Sequence, residues 1–406
     1  MTMLHRVAGD RLRGQTAAFM MGLGHAATHW IIATVYVLIP FLAKDLGLSY
    51  AQAGALVSLF HAAAFIANAG SGAIVDISGR YVRIACVSLV VGALALISVG
   101  FGSDMNWLIL PIIVIGLTNN LWHPAAISYL SRTYPNTRGF ALSLHTLGAT
   151  MGDILGPLSA GLLLVSLSWQ TTALVNALPI FAVAAVIAIA LGRDETASGA
   201  NHRKSATGSS YLSGLKTLAT NRSIVVLCVM AGFRSMTQNG LLVFLPLYLV
   251  NEMNATSVVV GLAMTAIQAG AIVSGPIAGA WSDKIGRQPV VSMGMIGTSI
   301  LIFAMSMMTG AYAFIAMAAV LGFVMFAIRP VIHGWTLDLA PAHMSGSAIS
   351  LLFGTQSAMT MAVPIVGGLI ADQWGLNAVF YILTATVSIA ALMSFMIPEA
   401  KKAPST

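Results

Sequence analysis

The chain has 406 residues, 58% of them hydrophobic and 8% charged, with a formal net charge of +7. A soluble domain carries about 25% charged residues, so this composition excludes a water-exposed globule and makes lipid the solvent for most of the surface. The positive charges fall singly between apolar runs, as topology determinants do, and they do not form a nucleic-acid-binding stripe.

A spanning helix needs roughly 20 mainly apolar residues. In chain order, twelve runs qualify: 16–42, 50–74, 82–102, 106–130, 139–165 and 169–191, then 223–249, 256–281, 289–309, 311–337, 346–371 and 377–397. The first is too long for the apolar region of a signal peptide and is expected to remain as span 1. Residues 192–222 are polar, with Arg193, Arg203, Lys204, Lys216 and Arg222, and read as a linker with a short surface helix near Tyr211–Leu218. The expected architecture is an all-α integral membrane protein: a six-helix bundle over 1–191, a cytoplasmic linker over 192–222 and a second bundle over 223–406. Cys86 and Cys228 lie inside apolar runs and read as small packing residues, not a disulfide.

Alternate loops carry nearly all the positive charge. Arg6, Arg11, Arg13, Arg80, Arg83, Arg132, Arg138, the linker residues, Lys284, Arg287, Lys401 and Lys402 fall on one side. The other side holds Lys44 with Asp45, Asp104, Glu252 and Asp372. The positive-inside rule then places both termini and the linker in the cytoplasm.

A motif is written twice. Gly72-x3-Asp76-x2-Gly79-Arg80 recurs as Gly279-x3-Asp283-x2-Gly286-Arg287, at an offset of 207 residues. Pro40 and Pro246, Gly116 and Gly322, His123-Pro124 and Arg329-Pro330, Pro135 and Pro341, and Pro157 and Pro364 repeat at offsets of 206 or 207. That constancy indicates an internal duplication, and two related bundles are the plan of a transporter that rocks one half against the other.

These connectors resemble those of the Major Facilitator Superfamily, and the resemblance covers essentially the whole chain. Gly152-x3-Gly156-Pro157-x3-Gly161 in span 5 looks like the signature of that superfamily's antiporters. Gly24-His25, Gly116-x6-His123-Pro124, Arg138-Gly-Phe-Ala-Leu-Ser143 and Asp338-Leu-Ala-Pro341 are similar to pieces of the fosmidomycin-resistance type of bacterial efflux transporter; organic-anion transporters share such pieces. The chain departs from the pattern at Ile77 and Tyr81, where basic residues are usual. It departs again at Ile112, where many drug antiporters carry an arginine, which puts proton coupling by that route in doubt.

Ionisable side chains within a span are costly and normally face a water-filled cavity. The candidates are His25, His29, His61, His123, His145, Asp153, Arg234, Arg329 and His333. Helical spacing groups His25, Thr28, His29 and Tyr36 on span 1, Asn119, Asn120 and His123 on span 4, Arg234, Thr237 and Gln238 on span 7, and Arg329, His333 and Thr336 on span 10. Spans 1, 4, 7 and 10 line the cavity in the family that the chain resembles. A rise of ~1.5 Å per residue puts His25, His29, His123, Asp153, Arg234 and Arg329 roughly 12–20 Å from the cytoplasmic helix ends, where they are expected to border one cavity.

Arg234 and Arg329 present planar forks suited to carboxylate, phosphate or phosphonate, so His25, His29, Asn120, His123, Arg234, Gln238, Arg329 and His333 form the expected substrate site. The competing reading pairs Arg234 with Asp153, and Arg329 with a carbonyl or with Asp338, to hold the bundle. Asp153 and His123 are the candidates for proton coupling; a fixed counter-ion and a satisfied helix kink are the alternatives. His25 and His29 have the spacing of a metal pair, but a cavity-wall role is preferred, and neither metal nor cofactor is expected. His61 and His145 read as bundle histidines outside the site. Gly72, Asp76, Gly79, Arg80, Gly279, Asp283, Gly286, Arg287 and Asp338 are expected to form a conformational switch at the cytoplasmic helix ends, through charge pairs across the bundles.

The expected function is secondary active transport by alternating access, as proton-coupled efflux of a small anionic or amphiphilic compound by a monomer. Uptake of a mono- or dicarboxylate is the alternative. A membrane enzyme would need a constellation such as His-Glu-x2-His, which the sequence lacks. There is no Gly-x4-Gly-Lys-Ser/Thr loop to make ATP the energy source, and a receptor or scaffold would carry a large soluble domain.

Overall fold

The computed structural model describes residues 14–192, 218–341 and 344–399, with all their side chains but those at 69, 73, 76, 345 and 346. The expected cytoplasmic termini and most of the linker, with its short surface helix, lie outside the described residues. The first half supplies α1 (Thr16–Asp45), α2 (Tyr50–Ser78), α3 (Tyr81–Gly100), α4 (Met105–Thr133), α5 (Arg138–Leu163) and α6 (Trp169–Leu191). The second supplies α7 (Arg222–Asn251), α8 (Ser257–Ile285), α9 (Arg287–Met305), α10 (Ala311–Leu339), α11 (Ser345–Thr360), α12 (Val363–Trp374) and α13 (Leu376–Ser394). Every span read from the sequence holds a helix. Span 11 is broken into α11 and α12, with Pro364 in the first turn of α12, where its missing N–H removes no helical hydrogen bond.

Among the described residues, eleven spans are long and apolar enough to cross a membrane. The helix that falls short is α5, which carries His145, Asp153 and a row of glycines. Large side chains such as Ile77, Leu110 and Ile189 are well exposed, as lipid-facing residues are, while Trp122, Trp335 and Phe244 are fully buried. Loop residues cap several helices. The Asp104 carboxylate accepts the Trp107 N–H at 3.0 Å, which pulls its pKa below the usual carboxylate value. Ser168 accepts from the Thr171 N–H, and Asn221 from the N–H groups of Ser223 and Ile224.

The duplicated connector has a local cause. Its second glycine ends the helix at positive φ in both copies, Gly79 at +60° and Gly286 at +104°, where a Cβ is disfavoured. Gly72 and Gly279 have open space where a Cβ would sit. Gly79→Ala should therefore cost about 1–2 kcal/mol, whereas Gly72→Ala should be neutral or slightly stabilising. Thermal unfolding of the two purified variants would separate them; equal melting temperatures would refute this conformational account.

The chain divides into two compact units. The described part of the first is 14–38 with 62–192; that of the second is 39–61 with 218–341 and 344–399. The end of α1 and the start of α2 thus belong with the second unit, and their packing shows why. A Cβ on Gly54 would lie 1.9 Å from the Pro364 carbonyl oxygen, and one on Gly368 would lie 2.3 Å from that of Tyr50, so glycine lets α2 and α12 meet backbone to backbone. Each helix then caps the other. Asp372 accepts the Tyr50 and Ala51 N–H groups at 2.8 and 3.0 Å, and Ser58 Oγ accepts the Ile365 N–H at 3.2 Å. Asp372→Ala leaves two helix-start donors of α2 without a protein acceptor and should cost about 1–2 kcal/mol. A melting temperature equal to that of the parent would show the caps to be dispensable.

Candidate functional site

The first unit builds a histidine cluster from α1, α4 and α5. Glycines set the approach of α5 to α1. A Cβ on Gly148 would meet the Gly22 carbonyl oxygen at 2.0 Å, one on Gly152 the Ala26 carbonyl oxygen at 2.1 Å, and one on Gly156 the Trp30 carbonyl oxygen at 3.1 Å. The contacts advance together by four residues on each helix, so the helices run parallel in register. The register brings His29 to Asp153, with Nδ1 and Oδ1 2.9 Å apart and both side chains 25% exposed. It also brings His25 to His145. A carbonyl only accepts, so His25 Nδ1 carries the proton it donates to the His145 carbonyl at 2.7 Å. The two rings stack at 3.9 Å, and the His25 ring lies 4.7 Å from His29 and 5.0 Å from His123.

His145, expected to lie outside the site, is therefore central to this cluster. The signal was present: His145 precedes Asp153 by two helical turns, within the stripe that one helix face presents. The Asp153 carboxylate is held by His29, a partner that the candidate Arg234–Asp153 pairing had not included. Asn120 Nδ2 donates to the Gly116 carbonyl of its own helix at 3.3 Å, and Asn119 Nδ2 to the Thr28 carbonyl at 3.4 Å. His61 packs edge-on against the Phe60 ring in the second unit.

The second unit holds a basic cluster. Arg234 is buried, at 4% exposure. Its Nη2 donates to the Met325 carbonyl at 2.9 Å, and its Nε has no hydrogen-bond partner. Arg329 and His333 lie close enough to act on it electrostatically, and no carboxylate forms an ion pair with Arg234 among the described residues. His333 also meets the Phe353 ring edge-on at 5.2 Å. Thr237 turns away from this cluster, bonding Thr386 Oγ1 at 2.8 Å on α13, and buried Thr336 bonds the Ile332 carbonyl.

Asp338, a candidate mate of Arg329, accepts from Arg287 Nε at 3.1 Å. Arg287 also pairs with Asp283 at 2.6 Å and bonds Ser282 Oγ, while Glu399 accepts the backbone N–H groups of Arg287 and Gln288. These partners all lie in the second unit, so the ion pairs of Arg287 form within one half. In the first unit, Arg132 sits over the Tyr81 ring at 4.8 Å, Arg80 is exposed, and the Asp76 side chain lies outside the described residues. Cys86 and Cys228 are free thiols.

A model of the Major Facilitator Superfamily matches residues 18–252 and again 227–406. The chain belongs to the Major Facilitator Superfamily. It is thus a multi-pass membrane protein with the fold of a transporter. The fosmidomycin resistance protein of Escherichia coli (strain K12) is 22% identical over 411 residues, 97% of this chain and 96% of that one. Multidrug resistance protein MdtG of Serratia proteamaculans (strain 568) is 31% identical over 143 residues, 34% of each chain, so the match spans about a third of that relative. Among solved structures, a bacterial homologue of the human lysosomal transporter Spinster superposes with a TM-score of 0.78 at 13% identity, over 94% of this chain and 96% of that one. The nucleoside transporter NupG superposes with a TM-score of 0.76 at 14% identity, over 94% and 99%. At those identities the solved structures speak for the fold alone.

Proposed function

We propose that this superfamily member exports a small anionic or amphiphilic compound in exchange for protons, as a monomer in the bacterial inner membrane with both termini cytoplasmic. The observation that carries the anionic cargo is Arg234: a buried guanidinium that, among the described residues, has no carboxylate mate and an unbonded Nε, beside a second arginine and a histidine. A buried charge without a partner is costly, and an oxyanion arriving as substrate supplies the missing charge and acceptors. Gln238 and His333 are the flanking polar groups. Efflux is favoured by the relatives named for multidrug and fosmidomycin resistance.

The His29–Asp153 pair is the proposed proton-coupling element, with His123 beside it. A carboxylate bonded to an imidazole in a half-buried site can hold a proton in one state of the cycle and release it in another. The duplicated connectors, with Arg287 holding Asp283 and Asp338, are the proposed conformational switch. The deciding experiment reconstitutes the full chain in proteoliposomes with an internal pH dye and adds a panel of small carboxylates and phosphonates. Substrate-driven proton movement is expected, and Asp153→Asn should remove it while leaving substrate binding in detergent within a few-fold of the parent. If neutral drugs or apolar cations move protons and no anion does, the anionic cargo is wrong.

A further inference from the structure

We propose that His25, His123 and His145 form a binding site for a borderline transition-metal ion, Zn2+ or a neighbour such as Ni2+ or Co2+. Nitrogens of the three rings, from α1, α4 and α5, already lie within 4.8 Å of one another. A four-coordinate zinc site with Zn–N bonds of ~2.0–2.1 Å needs closer nitrogens, so ligation asks for ring rotations and shifts of about an ångström. The site lies wholly in the first unit. It shares no residue with the basic cluster of the second unit and does not depend on the cargo proposed above.

The tautomer of His25 supports ligation. Its Nδ1–H is committed to the His145 carbonyl, which leaves the lone pair on Nε2. That atom is buried without a hydrogen-bond partner in a residue 8% exposed. Metal-ligating histidines characteristically donate their other ring N–H to a carbonyl or carboxylate, which fixes the tautomer and raises basicity at the ligating nitrogen. His145 is equally suited. It is 4% exposed, and the Met21 backbone is the polar group nearest to bonding its ring. Its ring is stacked on that of His25 at an interplanar angle of 16°, and parallel planes cannot share one in-plane metal. His145 is therefore the ring that turns on binding, opposed by packing and by its interaction with the Met21 backbone.

The surroundings set the class of ion. Three neutral imidazoles suit zinc, nickel, cobalt or copper(II) and do not suit calcium or magnesium, which take oxygen ligands. The His29–Asp153 pair beside the cluster adds negative charge against a divalent ion. With both side chains 25% exposed, it also marks the open edge by which an ion would enter.

The test uses the full-length protein in detergent, freed of any polyhistidine tag, titrated calorimetrically with ZnCl2 and NiCl2. One equivalent should bind, with affinity at least tenfold weaker in His25→Ala and in His145→Ala and unchanged in His61→Ala. No binding to the parent protein, or binding unchanged in both cluster variants, overturns the proposal. Should either variant fail to fold, Cu2+ electron paramagnetic resonance on the unmodified protein counts the ligating nitrogens. Three support the site, and one or none overturns it.

Discussion

Arg234→Met is expected to abolish anion-driven proton movement and leave the protein at least as stable as the parent. The two readouts together distinguish the roles open to a buried arginine. An arginine that holds the bundle through an ion pair costs several kcal/mol when removed, because its partner is left charged and buried. Among the described residues Arg234 has no such partner: its Nη2 donates to the Met325 carbonyl, and its Nε meets no acceptor. Methionine fills a similar volume without a charge to desolvate, and Arg329 and His333 lose a repulsive neighbour. The melting temperature should stay level or rise. Binding should behave oppositely. A charge-assisted hydrogen bond contributes about 1.5–3 kcal/mol, so a fork that makes two of them is worth roughly a hundredfold or more in affinity. Calorimetric titration of the anion that moves protons, alongside a melting curve, reads both quantities. A large drop in melting temperature with unchanged affinity would make Arg234 structural after all.

The division between what could and could not be read from the chain follows the range of the interactions. Span positions depend on runs of apolar residues, and the repeat depends on residues held at a constant offset; both are written along the chain. The break in span 11 is half legible: Pro364 is the repeat partner of Pro157, yet Pro157 lies inside an unbroken α5. What differs is the neighbourhood. The carbonyl of Pro364 packs on Gly54 and the next N–H is taken up by Ser58, contacts between residues some three hundred positions apart. The same limit explains His145. Its own helix did not place it outside the cluster; the expected rule of four cavity-lining helices did. Only the contact of α5 with α1 shows that the fifth helix contributes to the same face. Asp153 also has the right depth for either partner, and depth does not say which way a side chain turns.

Gly152→Ala, the addition of one methyl group, is expected to abolish transport. The new Cβ would lie 2.1 Å from the Ala26 carbonyl oxygen and 2.9 Å from the His29 Cβ. Backbone cannot yield as the end of a flexible side chain can, so α1 and α5 must separate by about an ångström or more, since non-bonded heavy atoms settle at about 3.5–4.0 Å. The His29–Asp153 bond, at 2.9 Å, spans that same contact and would be stretched beyond hydrogen-bond range. Overpacking of this kind typically costs 1–3 kcal/mol, enough to lower the melting temperature by several degrees without unfolding the chain. Function should suffer more than stability, because the pair proposed to carry the proton is the one pulled apart. Gly354→Ala, with open space at its Cβ, is the matched control for the general effect of a methyl group on a spanning helix. A Gly152→Ala protein that moved protons at the parent rate would show that coupling does not run through the α1–α5 contact. Loss of transport in Gly152→Ala with retained anion binding would place the defect in that contact and leave the basic cluster of the second unit intact.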